Sequence, residues 1–351
     1  MNSMDREGGL LGLFRNKAVL ACLTALCLAC GGCASQPEDI SPLDADGLIV
    51  LTIGTADTEG DLAATLTGED GTKDSLEPAT LALSTDQLKF NISTSTGSFM
   101  NIQNLSSGEI DLGLVAGDSA YTAVYGTEDS APTNEDLRAV AAVFSSTSNW
   151  MSPIRTGAFY VHDLKGMRIG AGPQGSASEL ATWAVINALR LDGDGTVLEN
   201  CSLGAGTDLI LSGDLDAIHG FTGAPVSGLA QLPERVPSRL LRYTQEELDL
   251  ILSQNDLYYP AVIPAGTYPG QSQDVDTFGV KCLLCVDVSM DEELVYSMTQ
   301  ALWESADIMG ELYPAMSVLS DRDFLCEDLP IPLHDGAQRF YEEVCPELVS
   351  K

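Results

Sequence analysis

Tyr258–Gln271 reads YYPAVIPAGTYPGQ. Each proline removes a backbone donor and fixes φ, so the run cannot be helix interior. Gly266 and Gly270 permit turns that other residues resist. The stretch predicts an ordered, aromatic-bearing loop leaving a strand. Working outward, short apolar runs alternate with helix-length segments. Leu48–Ile53, Lys89–Ile92, Asp111–Ala116, Ala139–Phe144, Met167–Ala171 and Val280–Val288 read as strands. Ser98–Ser107 reads as a helix stopped by Gly108, and Asp118–Tyr125 as a helix that Asp118 is placed to cap. Gly172–Ser178 opens a helix running to Arg190; Asp291–Leu312 is a long amphipathic helix and Ala337–Val344 a terminal one. Strands alternating with helices imply parallel sheets with helices on both faces. Two such sections, and a chain that returns to the first, imply a two-lobed α/β fold with a cleft. Ser107-Gly108-Glu109-Ile110-Asp111 resembles Ser212-Gly213-Asp214-Leu215-Asp216. That recurrence fits one equivalent βαβ element in each lobe.

Composition narrows the class. The 351 residues carry a formal net charge of −34. Nucleic acid and anionic membrane surfaces need clustered Lys and Arg, so neither is an expected partner. The same charge repels anionic solutes at long range, so any anion site must rely on local donors. At the N-terminus, Arg6, Arg15 and Lys17 precede the apolar run Ala18–Ala29. That run has the length of a signal-peptide core rather than of a membrane span. It ends in Leu28-Ala29-Cys30-Gly31-Gly32-Cys33, which resembles a bacterial lipobox with Cys30 as the lipidated residue and Cys33 as a second choice. The expected organisation is a lipoprotein signal peptide at 1–29, a tether at 30–47, one lobe built from 48–150 and 280–351, and a second lobe from 151–279.

The chemistry-bearing residues point to binding rather than catalysis. The turn Gly170-Ala171-Gly172-Pro173-Gln174-Gly175-Ser176-Ala177-Ser178-Glu179 follows a strand and opens a helix. A helix N-terminus offers unpaired N–H donors and a positive dipole end, so it suits a carboxylate or phosphate. The same turn would also serve as a plain strand–helix connection with Ser176 or Ser178 as its cap. His162, His219 and His334 stand apart from any nucleophile at a recognisable spacing. Each reads as a packing or surface residue, and no enzyme activity or cofactor is expected. Cys282 and Cys285 form a CxxC inside an apolar run, where i and i+3 point to opposite faces of a strand, so no metal site is expected. Cys326 and Cys345 are either a disulfide or two free thiols. Arg155 is either a ligand partner for a carboxylate or one half of a salt bridge.

Several segments, in order, resemble the TAXI solute-binding proteins, the ligand-capture subunits of one group of TRAP transporters. They are Thr96-Gly97-Ser98 with Asn101, Ser107–Tyr125, Asp163–Glu179, the Tyr258–Gln271 loop, and Leu329–Ala337 (LPIPLHDGA). The resemblance implies a type II periplasmic-binding-protein fold with a solute held between the lobes. It implies ligand-facing groups at Thr55, Thr96, Gly97, Ser98, Asp118, Gln174, Gly175, Ser176, Ala177, Ser178 and Tyr258. It implies a small-molecule solute, an amino acid or a carboxylate, delivered to a TRAP-type membrane permease by a protein lipid-anchored outside the cytoplasm. A ligand-sensing lipoprotein that presents its solute to a signalling partner is the alternative. The chain departs from the family at Ile53–Leu62, where Asp57, Glu59 and Asp61 replace a glycine-rich, aromatic entry. Three carboxylates there would favour a solute carrying a positive group.

Overall fold

The computed structural model describes residues 49–56, 88–127 and 130–349. The expected signal peptide and tether, with Cys30 and Cys33, and the acidic stretch from Asp57 to Asp61 lie outside the described residues. Ten strands form one sheet: β1 (Ile49–Ala56), β2 (Leu88–Ser95), β3 (Leu112–Ala116), β4 (Leu137–Pro153), β5 (Arg168–Gly170), β6 (Val197–Glu199), β7 (Ala217–Thr222), β8 (Ser238–Leu240), β9 (Tyr259–Ile263) and β10 (Val275–Asp287). The order is β2-β1-β3-β10-β4-β7-β5-β6, with β8 on β4 and β9 on β10. The longer helices are α1 (Ser98–Ser107), α2 (Gly117–Tyr125), α3 (Ala177–Ala188), α4 (Leu203–Ser212), α5 (Gln245–Leu252), α6 (Glu292–Leu312) and α7 (Asp335–Val344).

Strand direction corrects the expectation of purely parallel sheets. β1 is parallel to β2 and β3, and β5 is parallel to β6 and β7. β10 is antiparallel to β3, β4 and β9, and β4 is antiparallel to β7. The reason lies in the length of β4 and β10, which run through both halves of the molecule. β4 pairs with β10 from Leu137 to Thr147 and with β7 from Thr147 to Met151. β10 pairs with β9 from Val275 to Gly279 and with β3 from Cys282 to Cys285. The buried apolar residues divide along these two strands. Leu51, Leu112, Val140, Phe144, Cys282, Val286 and Tyr341 pack on one side, and Trp150, Ile169, Val185, Phe221, Phe278 and Val280 on the other. The molecule therefore has two lobes joined by two unbroken strands, and the positions 150/151 and 279/280 fall inside those strands.

The recurring segment has the same structure in both lobes. Gly108 closes α1 and Gly213 closes α4, each with φ in the left-handed region (73° and 86°) where a side chain would be strained. Three residues on, Asp111 and Asp216 each clasp the neighbouring strand. Asp111 N–H donates to the Thr52 carbonyl at 2.9 Å, and Asp111 Oδ2 accepts from Thr52 N–H at 2.7 Å. Asp216 makes the matching pair with Arg168, at 2.8 and 3.0 Å. A short Gly-x-x-Asp pattern thus ends a helix and registers the next parallel strand, once per lobe.

The first part of Tyr258–Gln271, expected as a loop, is itself β9, and the chain from Pro264 leaves it as a turn with both Gly266 and Gly270 at positive φ. Its Tyr268 hydroxyl donates to Asn149 Oδ1 at 2.8 Å and accepts from Val226 N–H at 3.1 Å, tying the loop to β4. Cys282 and Cys285 pack into separate apolar clusters on opposite faces of β10. Cys326 and Cys345 are free thiols whose sulfurs stand 3.9 Å apart in the core of the first lobe.

His219 lies inside β7 and is fully buried. Its ring stacks on Trp150 at 4.1 Å between centroids. Its Nδ1 is 2.7 Å from Thr182 Oγ1 and its Nε2 is 2.8 Å from Ser148 Oγ. Ser148 in turn bonds Tyr243, whose hydroxyl accepts from Trp150 Nε1 at 2.7 Å. All ring partners are neutral, so burial depresses the imidazole to about 3. Between pH 6.5 and that value the unfolded chain takes up a proton that the folded chain refuses. The stabilisation is complete above about pH 6.5 and falls by about 1.4 kcal/mol per pH unit as the pH drops. Measured by urea unfolding, the stability gap between wild type and His219→Gln should narrow by about 2 kcal/mol between pH 7 and pH 5. A gap that stays constant would contradict the neutral buried imidazole.

Candidate functional site

The C-terminal ends of the strands from both lobes meet around one cleft of about 110 Å³. The first lobe supplies Thr55 and Ala56 at the end of β1, Thr96 and Gly97 between β2 and α1, and Ser98 at the start of α1. Leu114, Ala116, Phe144, Ser146, Cys282 and Tyr313 complete that wall. The second lobe supplies Pro173 and Ser176 between β5 and α3, Ala177 and Ser178 in the first turn of α3, Leu203 at the start of α4, Phe221 and Thr222 at the end of β7, and Gly223, Pro225 and Val226 after it. This placement follows from the parallel strand sets, because each strand delivers its following loop and helix N-terminus to the same edge.

The helices α1 and α3 present their N-termini across the cleft. Gly97 caps α1, and a Cβ built on it would stand 3.1 Å from Ser176 Cα of the other lobe. Ser176 caps α3, its Oγ accepting from Glu179 N–H at 3.1 Å. The first-turn N–H groups of a helix have no partner within it, so both ends offer donors and partial positive charge to the space between. The serines around them hold backbone donors of their own. Ser98 Oγ accepts from Ala116 N–H at 3.1 Å, and Ser178 Oγ from Phe221 N–H at 2.9 Å. Each of these hydroxyls is left with its own proton to donate. Thr55 is 1% exposed, and its Oγ1 has no hydrogen-bond partner among the described residues. An orphaned buried hydroxyl costs roughly 1–3 kcal/mol.

The described lining contains no Asp, Glu, Lys, Arg or His. Burial pushes the Cys282 thiol well up, so it too is uncharged at neutral pH. The cleft combines neutral donors with an apolar wall.

Of the residues singled out from the sequence, Thr55, Thr96, Gly97, Ser98, Ser176, Ala177 and Ser178 line this cleft together. Gln174 and Gly175 stand beside it. Gly175 N–H donates to Glu179 Oε2 at 2.6 Å, so that donor is already used, and a Cβ at Gly175 would touch Phe99 of the opposite lobe. Asp118 and Tyr258 also lie outside the lining. The Tyr258 hydroxyl donates to Asp118 Oδ2 at 3.3 Å, bridging the lobes, and burial raises the Asp118 carboxyl. Ala116, not Asp118, occupies the cap position of α2; Asp118 is the second residue of the helix and accepts from Ser119 N–H at 2.7 Å. Arg155 is an exposed residue whose guanidinium donates to the Ile210 carbonyl at 2.7 Å, away from the lining. Sequence reading missed Phe144, Ser146, Phe221, Thr222 and Tyr313. The signal present for Ser146 was the polar run Ser145–Asn149 in the middle of an otherwise apolar strand.

The cap at Ser176 carries its own test. Ser176→Ala removes the acceptor for Glu179 N–H, and the unfolding free energy should fall by about 1 kcal/mol. Urea unfolding that shows no loss would contradict the cap.

Comparison with solved structures finds an ancestral arginine-binding protein bound to arginine, at TM-score 0.45 and 16% identity over 76% of this chain and 96% of that one. It also finds the alkanesulfonate-binding protein of Xanthomonas axonopodis pv. citri bound to MOPS, at 0.42 and 15% over 89% and 83%. A putative L-cystine ABC transporter protein from Listeria monocytogenes matches at 0.44 and 12% over 77% and 94%. At these scores the likeness carries no ligand and no partner across to this chain. The sequence match is of a different kind: the family model described as NMT1-like covers residues 78–344, well over half of the chain. The chain belongs to the NMT1-like family.

Proposed function

We propose that this protein is an extracytoplasmic solute-binding protein that captures a small organic acid or amino acid and hands it to a TRAP-type secondary transporter. The observation that carries the reading is the cleft itself. Loops from both lobes enclose it, an orphaned Thr55 hydroxyl lines it, and two unbroken strands join the lobes as a hinge would. Closure of such lobes over a solute is a hinge movement. The protein does no covalent chemistry in this reading; it binds, presents and releases. The ordered TAXI-like segments, from Thr96 to Ala337, support the TRAP assignment. The resemblance of Leu28–Cys30 to a lipobox supports a lipid anchor. Among the described residues no helix is long and apolar enough to cross a membrane.

Two measurements test this. Gly97→Ala adds a Cβ against Ser176 Cα at 3.1 Å, at a φ of 128° that side chains rarely adopt. It should hinder closure, and native mass spectrometry should find at least tenfold less co-purifying solute than in wild type, with unchanged circular dichroism. Equal occupancy would contradict closure at this contact. In vesicles bearing the TRAP-type permease, solute uptake should require the added protein. Uptake that ignores it would turn the assignment toward a sensing role.

A further inference from the structure

Resting on the receptor reading above, we infer that the solute is a small monocarboxylate with an apolar body, and that the Thr55 hydroxyl is one of the groups that hold its carboxylate. The cleft's donors set the sign of the charge. The N-termini of α1 and α3 face it from opposite lobes, and Ser98 and Ser178 keep hydroxyl protons free because their oxygens accept backbone N–H. Thr55 is the independent witness. Its Oγ1 is buried and unpartnered in a wall of the cleft, where a ligand oxygen would satisfy it. Neutral donors at helix ends suit one carboxylate.

The number of charges follows from what the described lining lacks. A second carboxylate would enter a cleft whose described lining has no Lys, Arg or His. A buried ion without a partner is strongly disfavoured. An ammonium would find no carboxylate among the described lining residues and would face the positive end of α1, whose first turn carries no acidic residue. The remaining wall, Leu114, Phe144, Phe221 and Val226, asks for an apolar body. This narrows the solute to the carboxylate side of the choice left open by the sequence. It runs against the amine-bearing solute that Asp57, Glu59 and Asp61 suggested.

Pentanoate, glutarate and norvaline share a carbon chain and differ in charge, so isothermal titration of the purified protein with the three isolates the point. Pentanoate should bind at least tenfold more tightly than the other two. Thr55→Val keeps the shape and removes the hydroxyl. It should weaken pentanoate at least fivefold while the melting temperature of the free protein stays the same or rises, because the orphaned group is gone. Glutarate or norvaline binding as well as pentanoate would overturn the charge assignment and leave the receptor reading standing. Undiminished pentanoate binding by Thr55→Val would overturn the role of Thr55. Silence from all three probes would overturn the inference; the receptor reading fails separately, if wild type and Gly97→Ala carry equal solute in native mass spectrometry.

Discussion

The antiparallel pairing of β4 with β10, from Leu137–Thr147 against Gly279–Asp287, is the constraint on which the rest of the structure depends. Each strand spends one part of its length in each lobe. The lobes therefore share a hydrogen-bonded spine instead of meeting through loops. Every other strand attaches to one side of this spine or the other, so the C-terminal strand edges of both lobes are brought to one place. The register shifts between Cys282 and Leu283 and between Leu284 and Cys285 break the regular pairing where the strands pass into the first lobe. Such irregularities bend and twist a strand locally. The spine is buried and must satisfy its polar groups internally. Thr277 Oγ1 donates to the Ser148 carbonyl at 2.8 Å, and Asn149 Nδ2 to the Thr147 carbonyl at 2.7 Å. These bonds explain why a run of serines, threonine and asparagine sits inside a strand with a buried face on both sides.

Charge is distributed with a purpose that the totals hide. A chain with net charge −34 has an uncharged described lining in its cleft, and the attraction there comes from backbone dipoles and hydroxyls. Surface charge is screened within about 8 Å at physiological ionic strength. Fixed dipoles at the bottom of a cleft act inside that distance, where water is scarce and each donor counts for more. The acidic exterior and the donor-rich interior can therefore coexist. The ion pairs of Lys165 with Asp194 and Arg235 with Asp208 are exposed and contribute little to stability.

Much of this was legible from residues alone. The alternation of apolar runs and helical segments gave the two-lobed α/β class, and the two Gly-x-x-Asp segments marked equivalent elements. The Pro- and Gly-punctuated run read as a turn leaving a strand, and from Pro264 it is one, but Tyr259–Ile263 before it is the strand itself. Strand direction was not legible, because apolar runs look alike whichever way they are laid in a sheet. The extent of β4 was missed for a related reason: Ser145–Asn149 looks like a loop unless its hydroxyls and amides are known to bond across the spine. At the site, small residues before helices were readable because the backbone chemistry of a helix start is local. Phe144, Phe221 and Tyr313 reach the cleft only through tertiary packing, and no local pattern reports that. Asp118 and Tyr258 were drawn to the site by resemblance, and the fold brings them to each other across the lobes instead.

The most direct test is a crystal structure of the protein purified with whatever solute it carries. The account predicts that solute lying between the first turns of α1 and α3, with a carboxylate oxygen within hydrogen-bond distance of Thr55 Oγ1 and an apolar body against Phe144 and Phe221. A solute held elsewhere, against charged side chains and away from both helix ends, would contradict it.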